Sequence, residues 1–220
     1  MIEIINLTKS YGGKHGRHYV FRNVNVTFPE GKSIGIVGRN GAGKTTLLRM
    51  LGGIDFPDSG EVRTKKTISW PVALRGGYHA QLTGRENATF VFRVFGLDED
   101  AIQERLEFVK DFSELGEYFE MPLQTYSSGM HSRLGFAMSM AFEFDYYLID
   151  EITAVGDRFF KRKSRKALTE KREKAAVIMV SHSLGSLADY CEMGLMIENQ
   201  EVRLFDKIED AISAYEKLEN

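Results

Sequence analysis

A basic excess is missing from this chain. Lysine and arginine number 29 against 31 aspartates and glutamates, giving a formal net charge of −2 and a pI near 6.2. No nucleic-acid partner is expected, because such proteins usually carry a surplus of positive charge. Cysteine is nearly absent as well. Cys191 stands alone and cannot close an internal disulfide, which fits a reducing compartment. The opening residues, Met1-Ile2-Glu3-Ile4-Ile5-Asn6-Leu7, lack the basic start and apolar run of a signal peptide. Nowhere does an apolar run approach the roughly 18 residues of a membrane-spanning helix. The most apolar region, 134–149, is broken by Glu143 and Asp145. Any membrane association is therefore expected to go through a partner or a surface. Internal repeats and low-complexity linkers are missing too. What remains is an ordinary globular composition, 43% hydrophobic and 27% charged over 220 residues. It suffices for one domain, or one domain with a subdomain, around a sizeable core.

Apolar patterning predicts strands at 2–7 and 24–28, where hydrophobic and polar residues alternate. Short apolar runs at 33–37, which is β-branched, and at 146–150 and 176–180 suit strands buried on both faces. Residues 60–70 read as edge strands around a turn, and 193–197 with 201–205 as a hairpin. Helices are expected at 45–51, 86–95, 99–111, 129–142, 157–173, from Leu184 onward, and at 207–218. Strands alternating with helices imply an α/β fold with a largely parallel central sheet.

Gly38-Arg39-Asn40-Gly41-Ala42-Gly43-Lys44-Thr45 fits the phosphate-binding pattern G-x-x-x-x-G-K-[ST] in full. It follows a predicted strand and opens a predicted helix, the context that gives the pattern its meaning. Its backbone N–H groups and the helix N-terminus would face negative charge. Lys44 would reach the β- and γ-phosphates, and Thr45 would offer its hydroxyl to Mg²⁺. Thr46 belongs with the same nucleotide-binding run.

Tyr146-Tyr147-Leu148-Ile149-Asp150-Glu151 is an apolar strand ending in two acids. At the C-terminal mouth of a parallel sheet, Asp150 would hold Mg²⁺ and Glu151 would polarise the attacking water as general base.

Further motifs separate this chain from other P-loop proteins. Tyr126-Ser127-Ser128-Gly129-Met130, with Arg133 beyond it, resembles the signature of the ABC ATPases, usually Leu-Ser-Gly-Gly-Gln. Ile152-Thr153-Ala154-Val155-Gly156-Asp157 resembles their D-loop, and Val180-Ser181-His182 their switch histidine. Tyr11, in Leu7-Thr8-Lys9-Ser10-Tyr11, matches the aromatic residue that stacks on adenine. Tyr19 is its rival, because the segment 12–18 could bring either ring in.

The resemblance implies an α/β P-loop NTPase of the ABC type. One domain would span 1–220, with a mostly parallel central sheet, antiparallel edge strands and a helical subdomain inserted at about 84–141. Two copies would bind ATP between the P-loop of one and the signature of the other, with Ser127 and the Gly129 amide on the γ-phosphate. His182 would hold the attacking water with Glu151.

Three departures stand out. Ser128 replaces a glycine and Met130 a glutamine in the signature, and Ile152 replaces the usual proline after the catalytic glutamate. The Q-loop glutamine is missing, since its place falls near Leu74 and the nearby glutamine is Gln81. The runs Trp70-Pro71-Val72-Ala73-Leu74-Arg75-Gly76-Gly77-Tyr78 and Leu82-Thr83-Gly84-Arg85-Glu86-Asn87 resemble the polysaccharide-export branch of ABC transporters. Within that branch the chain is most similar to the capsular polysaccharide export ATPases, of the polysialic acid type, in Gram-negative bacteria. The resemblance implies a homodimeric ATPase on the cytoplasmic face of the inner membrane. It would be peripheral and coupled to a separate integral-membrane permease that carries the polysaccharide. O-antigen and teichoic acid exporters are the neighbouring alternatives. O-antigen ATPases often carry an additional carbohydrate-binding domain, for which the residues beyond His182 leave no room. A soluble ABC ATPase outside transport is a further alternative.

The basic run at 158–174 is read as a solvated helix face, its rival being contact with anionic lipid or an acidic polymer. Phe90, Phe92 and Phe95 suit either a core or a docking face for the permease. His15, His18, His79 and His131 have no metal-ligand spacing.

Overall fold

The computed structural model describes residues 1–13, 16–72, 77–150 and 157–219. They fall into two compact units. The first comprises Met1–Pro71, Phe144–Glu151 and Arg172–Asn220, and the second Val72–Glu143 and Ile152–Lys171.

The first unit carries two sheets. In one, β1 (Ile2–Gly13) lies between β2 (Gly16–Phe28) and β4 (Ser59–Thr64), antiparallel to both. Ile2, Ile4 and Leu7 face inward along β1, as the alternation requires. The β1–β2 pairing runs further than the hydrophobic pattern, through Tyr11↔His18 to Gly13↔Gly16. The expected strands at 2–7 and 24–28 were short because glycine and histidine at the tip give no apolar alternation, while the backbone ladder continues regardless.

The other sheet has six strands in the order β5 (Ile68–Val72), β6 (Tyr146–Asp150), β7 (Ala176–Val180), β3 (Ile34–Val37), β8 (Met193–Glu198), β9 (Glu201–Phe205). Strands β6, β7, β3 and β8 are parallel in register, and β9 returns antiparallel. All five residues of β7 and all four of β3 are buried. Continuous apolar runs thus became strands covered on both faces. The two strands of 60–70 are edge strands, but of different sheets, since β4 joins β1 and β5 joins β6. Helix α1 (Lys44–Leu51) buries Leu47, Leu48, Met50 and Leu51 in a core shared with Phe21, Phe28, Ile36, Leu148 and Ile178. Helices α6 (Leu184–Tyr190) and α7 (Ile208–Glu219) complete this unit.

The second unit is helical: α2 (Gly84–Val94), α3 (Glu99–Ser113), α4 (Ser128–Met140) and α5 (Arg158–Arg172), whose last residue falls in the first unit. Short 3₁₀ turns at Gly116–Glu120 and Leu123–Thr125 join α3 to α4. Capping fixes the helix starts. Thr83 and Glu86 form a capping box on α2, and Asp98 and Ser127 cap α3 and α4. Fully buried Phe92, Phe119, Phe136 and Phe160 are among its core side chains.

Candidate nucleotide site

Strand β3 ends at Val37, and the loop from Gly38 to Gly43 turns directly into α1. Gly43 is the N-cap, with φ 105°. A Cβ there would lie 2.4 Å from Val20 Cγ1 and 2.9 Å from Phe21 Cζ. Glycine is required twice over, by the left-handed backbone and by the close approach of β2. No acidic side chain occupies the first turn of α1, so its N–H groups and positive dipole end are left for an anion. Lys44 Nζ donates to the carbonyls of Gly38 (2.5 Å) and Arg39 (3.0 Å). Burial pushes the Lys44 ammonium below its ordinary pKa, and the charge of Asp150 opposes that shift. Arg39, Asn40, Gly41 and Thr45 are exposed, while Ala42 and Thr46 are half-buried.

Asp150 ends β6 opposite Val180 of β7. With β7 between β6 and β3, the Asp150 backbone stands two strand spacings, about 10 Å, from the P-loop strand. That interval is wide enough for a phosphate and a hydrated cation. Ser181 and His182 follow β7 at the same edge. A cleft of about 350 Å³ is lined by Gly38, Asn40, Lys44, Ser181 and His182, together with Tyr215 of α7. The loop, the second carboxylate and the histidine are thus brought to one edge of the sheet. Glu151, residues 152–156 and Leu74 lie outside the described residues. Gln81 is exposed, just before α2.

Tyr11 is exposed, and its hydroxyl donates to Asp55 Oδ2 at 2.8 Å. Tyr19, opposite Ser10, lies under the Arg22 guanidinium at 3.9 Å. Ser181 and Tyr215 also line the cleft, and neither is among the expected site residues. Ser181 is signalled by its position after a buried strand, whereas Tyr215 reaches the cleft through a tertiary contact that no spacing encodes.

In the second unit, Ser127 caps α4, its Oγ accepting from the Met130 N–H at 3.3 Å. Ser127 and Ser128 are exposed and Gly129 is half-buried. A Cβ on Gly129 would meet nothing nearer than Ser127 Oγ at 3.8 Å. Among the described residues, nothing requires a glycine there. Of the paired readings for 90–95, Phe92 is core, whereas Phe90 and Val94 are 60% and 66% exposed. Phe95 is half exposed and packs on Phe142.

The family model for ABC transporters matches residues 21–154. The chain belongs to that family. This ABC chain is 52% identical to the polysialic acid transport ATP-binding protein KpsT of Escherichia coli, over 100% of its own length and 98% of that protein's. It is 41% identical to the ATP-binding protein BexA of Haemophilus influenzae, with 100% of both chains covered. It also matches a dimeric bacterial ABC transporter cassette, MJ0796, with TM-score 0.73 and 25% identity, covering 94% of this chain and 99% of that one. The expected ABC-type fold, a mostly parallel sheet with antiparallel strands and a helical part, is the fold observed, and the chain is a nucleotide-binding subunit. Among the described residues, no helix is long and apolar enough to cross a membrane.

Proposed function

We propose that this chain is the ATP-hydrolysing subunit of an ABC exporter that moves a capsular polysaccharide across the inner membrane through a separate permease. The full-length 52% identity to a polysialic acid transport ATP-binding protein carries the substrate class. The subunit works as a homodimer, peripheral on the cytoplasmic face. The open space at Gly129 supports the dimer: this glycine at a capped helix start suits the close approach of a phosphate supplied by a second copy. The exposed Phe90 and Val94 support a permease partner.

In this reading Gly38, Arg39, Asn40, Gly41, Ala42, Gly43, Lys44, Thr45 and Thr46 cradle the ATP phosphates, and Tyr11 stacks on the adenine. Ser127 and Gly129 of the other copy close over the γ-phosphate. The Thr45 hydroxyl and the Asp150 carboxylate are hard oxygen donors and suit Mg²⁺, which neutralises phosphate charge when bound. Glu151 takes the proton of the attacking water, while His182 orients that water and the γ-phosphate. Water oxygen bonds to the γ-phosphorus, the bond to the bridging oxygen breaks, and ADP and phosphate leave. Closure of two subunits around ATP and their release after hydrolysis is a ligand-controlled two-state element.

The test is genetic and biochemical together. A strain lacking the chain is expected to lose surface capsule while still making the polymer. Normal surface display in that strain would sink the export reading.

A further inference from the structure

Lys9 is 7% exposed, and a lysine is almost never buried unless it is paired. Its Nζ donates to Asp55 Oδ1 at 2.6 Å and to the Phe56 carbonyl at 2.7 Å, and it lies 5.1 Å from the centre of the Tyr11 ring. Asp55 Oδ1 also accepts from the Phe56 N–H at 2.9 Å, and its Oδ2 accepts from the Tyr11 hydroxyl. Tyr11 is thus fixed at its tip by a carboxylate and approached by a cation, yet 43% of the residue stays exposed. Holding a ring at two points costs rotamer freedom without full burial in return. The arrangement makes sense where the open face serves a ligand.

The loop that carries Asp55 leaves the last turn of α1. The N–H groups of Ile54 and Asp55 both donate to the Arg49 carbonyl, at 2.9 and 3.2 Å. Asp58 fastens the same loop to β1, accepting from Ser10 N at 2.8 Å and Ser10 Oγ at 2.5 Å. One end of α1 therefore presents Lys44, and the other end holds Tyr11. Residues directly opposite in an antiparallel pair share a face. Since Ser10 faces Tyr19 and Tyr11 faces His18, the two tyrosine rings lie on opposite faces of the hairpin, and Tyr19 is already covered by Arg22.

We propose that Asp55, with Lys9 behind it, is a positioning residue that holds the Tyr11 ring as the platform for the nucleotide base, in register with the phosphate loop. This rests on the nucleotide-site reading above. The clasp ties base recognition to α1, so the base and phosphate subsites move as one piece.

The test compares ATP with inorganic tripolyphosphate, which has no base to stack, by calorimetry on the full chain. Base–aromatic stacking is worth about 1–3 kcal/mol. Tyr11→Ala is therefore expected to weaken ATP about tenfold and leave tripolyphosphate unchanged. Tyr11→Phe keeps the ring and removes the tether. Both it and Asp55→Ala are expected to weaken ATP by roughly three- to tenfold, again sparing tripolyphosphate. The double variant Tyr11→Phe/Asp55→Ala should lose no more than the weaker-binding single variant, because both act on one hydrogen bond. Tyr11→Phe guards against Asp55→Ala simply misfolding. If Tyr11→Ala weakens ATP while Tyr11→Phe binds it at the parent affinity, the clasp is overturned and the stacking role survives. Parent affinity in Tyr11→Ala overturns the clasp together with the Tyr11 assignment. Failure of the unaltered chain to bind either ligand would instead overturn the nucleotide site itself.

Discussion

Arg133, in the second turn of α4, pairs with Asp157 at the head of α5. The other Asp157 oxygen, Oδ1, accepts from the N–H groups of Phe159 and Phe160 at 2.8 and 3.0 Å, so one carboxylate both caps α5 and anchors the signature helix. The Arg133 guanidinium also lies over the Phe160 ring and 3.5 Å from Glu114, whose other oxygen takes Lys163 at 2.8 Å. An arginine read from sequence as part of a signature thus has a structural duty within its own unit.

Arg133→Lys is expected to fail as a replacement, because an ammonium cannot supply the planar fork or stack on Phe160. Thermal melts should place Arg133→Lys and Asp157→Ala below the parent by roughly 2–6 °C. Backbone hydrogen bonds to Phe160, followed by Phe159 and by Arg133, hold the Asp157 carboxyl below its ordinary range against its desolvation. With the folded value depressed, the contribution is complete above the usual carboxylate pKa and fades as pH falls through the lowered one. The parent and Asp157→Ala should therefore converge in stability under acid. A constant gap down to low pH would refute the assignment.

Two glycines predict opposite failures. At Gly43 a methyl group would strike Val20 and the backbone is left-handed, so Gly43→Ala should lower both thermal stability and ATP affinity. At Gly129 the methyl fits its own subunit, so Gly129→Ala should melt with the parent and bind ATP with parent affinity as a monomer. It should nevertheless fail to dimerise on ATP, which light scattering would report. ATP-driven dimerisation at parent strength would argue that Gly129 faces no phosphate.

Lys44 and Glu151 separate binding from chemistry. Lys44→Ala removes a charged hydrogen bond, about 1.5–3 kcal/mol, so calorimetry should find ATP affinity reduced by roughly 10- to 150-fold. Glu151→Gln keeps the shape and loses the base. Turnover should fall about 10²–10⁴-fold while ATP binding persists and a dimer accumulates. Hydrolysis at the parent rate in this variant would rule Glu151 out as the base.

The buried Lys9–Asp55 pair makes a prediction about pH. Burial pushes the Asp55 carboxyl up, but the hydrogen bonds from Lys9 and Tyr11 outweigh it and leave the pKa lowered. The Asp55 hydrogen bond raises Lys9 in spite of its burial. A depressed acid loses its contribution only as pH falls below the carboxylate range, and a raised base only as pH rises past the ordinary lysine value. The stability difference between the parent and Lys9→Met should accordingly stay flat from about pH 5 to 9. Urea titrations that slope across that interval would contradict the pairing.

Much of this architecture was legible in the residues. Asp150, Val180 and the P-loop stand at strand ends that short continuous apolar runs announced, and the helices α2, α3 and α4 were expected within a residue or two of where they lie. The hairpin tip was not legible, because Gly12, Gly13 and Gly16 carry no apolar pattern, while Gly12 pairs with Arg17 and Gly13 with Gly16. Nor was the parting of β4 and β5 into two sheets, since each is an edge strand whose partner lies far along the chain. The phosphate end of the site was readable because its chemistry is local and glycine-bound. Tyr11 and Tyr19 were rival candidates for the base in sequence, since their different partners, Asp55 and Arg22, are tertiary and local contacts that spacing does not record.

Helix α2 is a second such case. Phe90 and Phe92 were indistinguishable in sequence, yet Phe92 is fully buried and Phe90 stands out with Val94 one turn on. Removing the Phe92 ring should cost about 3–5 kcal/mol through the cavity it leaves, so Phe92→Ala should lose ATPase activity by unfolding. Phe90→Glu places charge on a surface already wet and should leave the melting point and the isolated subunit's ATPase rate unchanged. If that exposed pair is where the permease sits, the charge is desolvated only in the assembled transporter, where an unpaired buried carboxylate is severely unfavourable. Capsule export and co-purification with the permease should then both fail in Phe90→Glu cells with parent amounts of the protein. Normal export in those cells would move the docking face elsewhere on the helical unit, because a partner seated on Phe90 cannot ignore a charge at its centre.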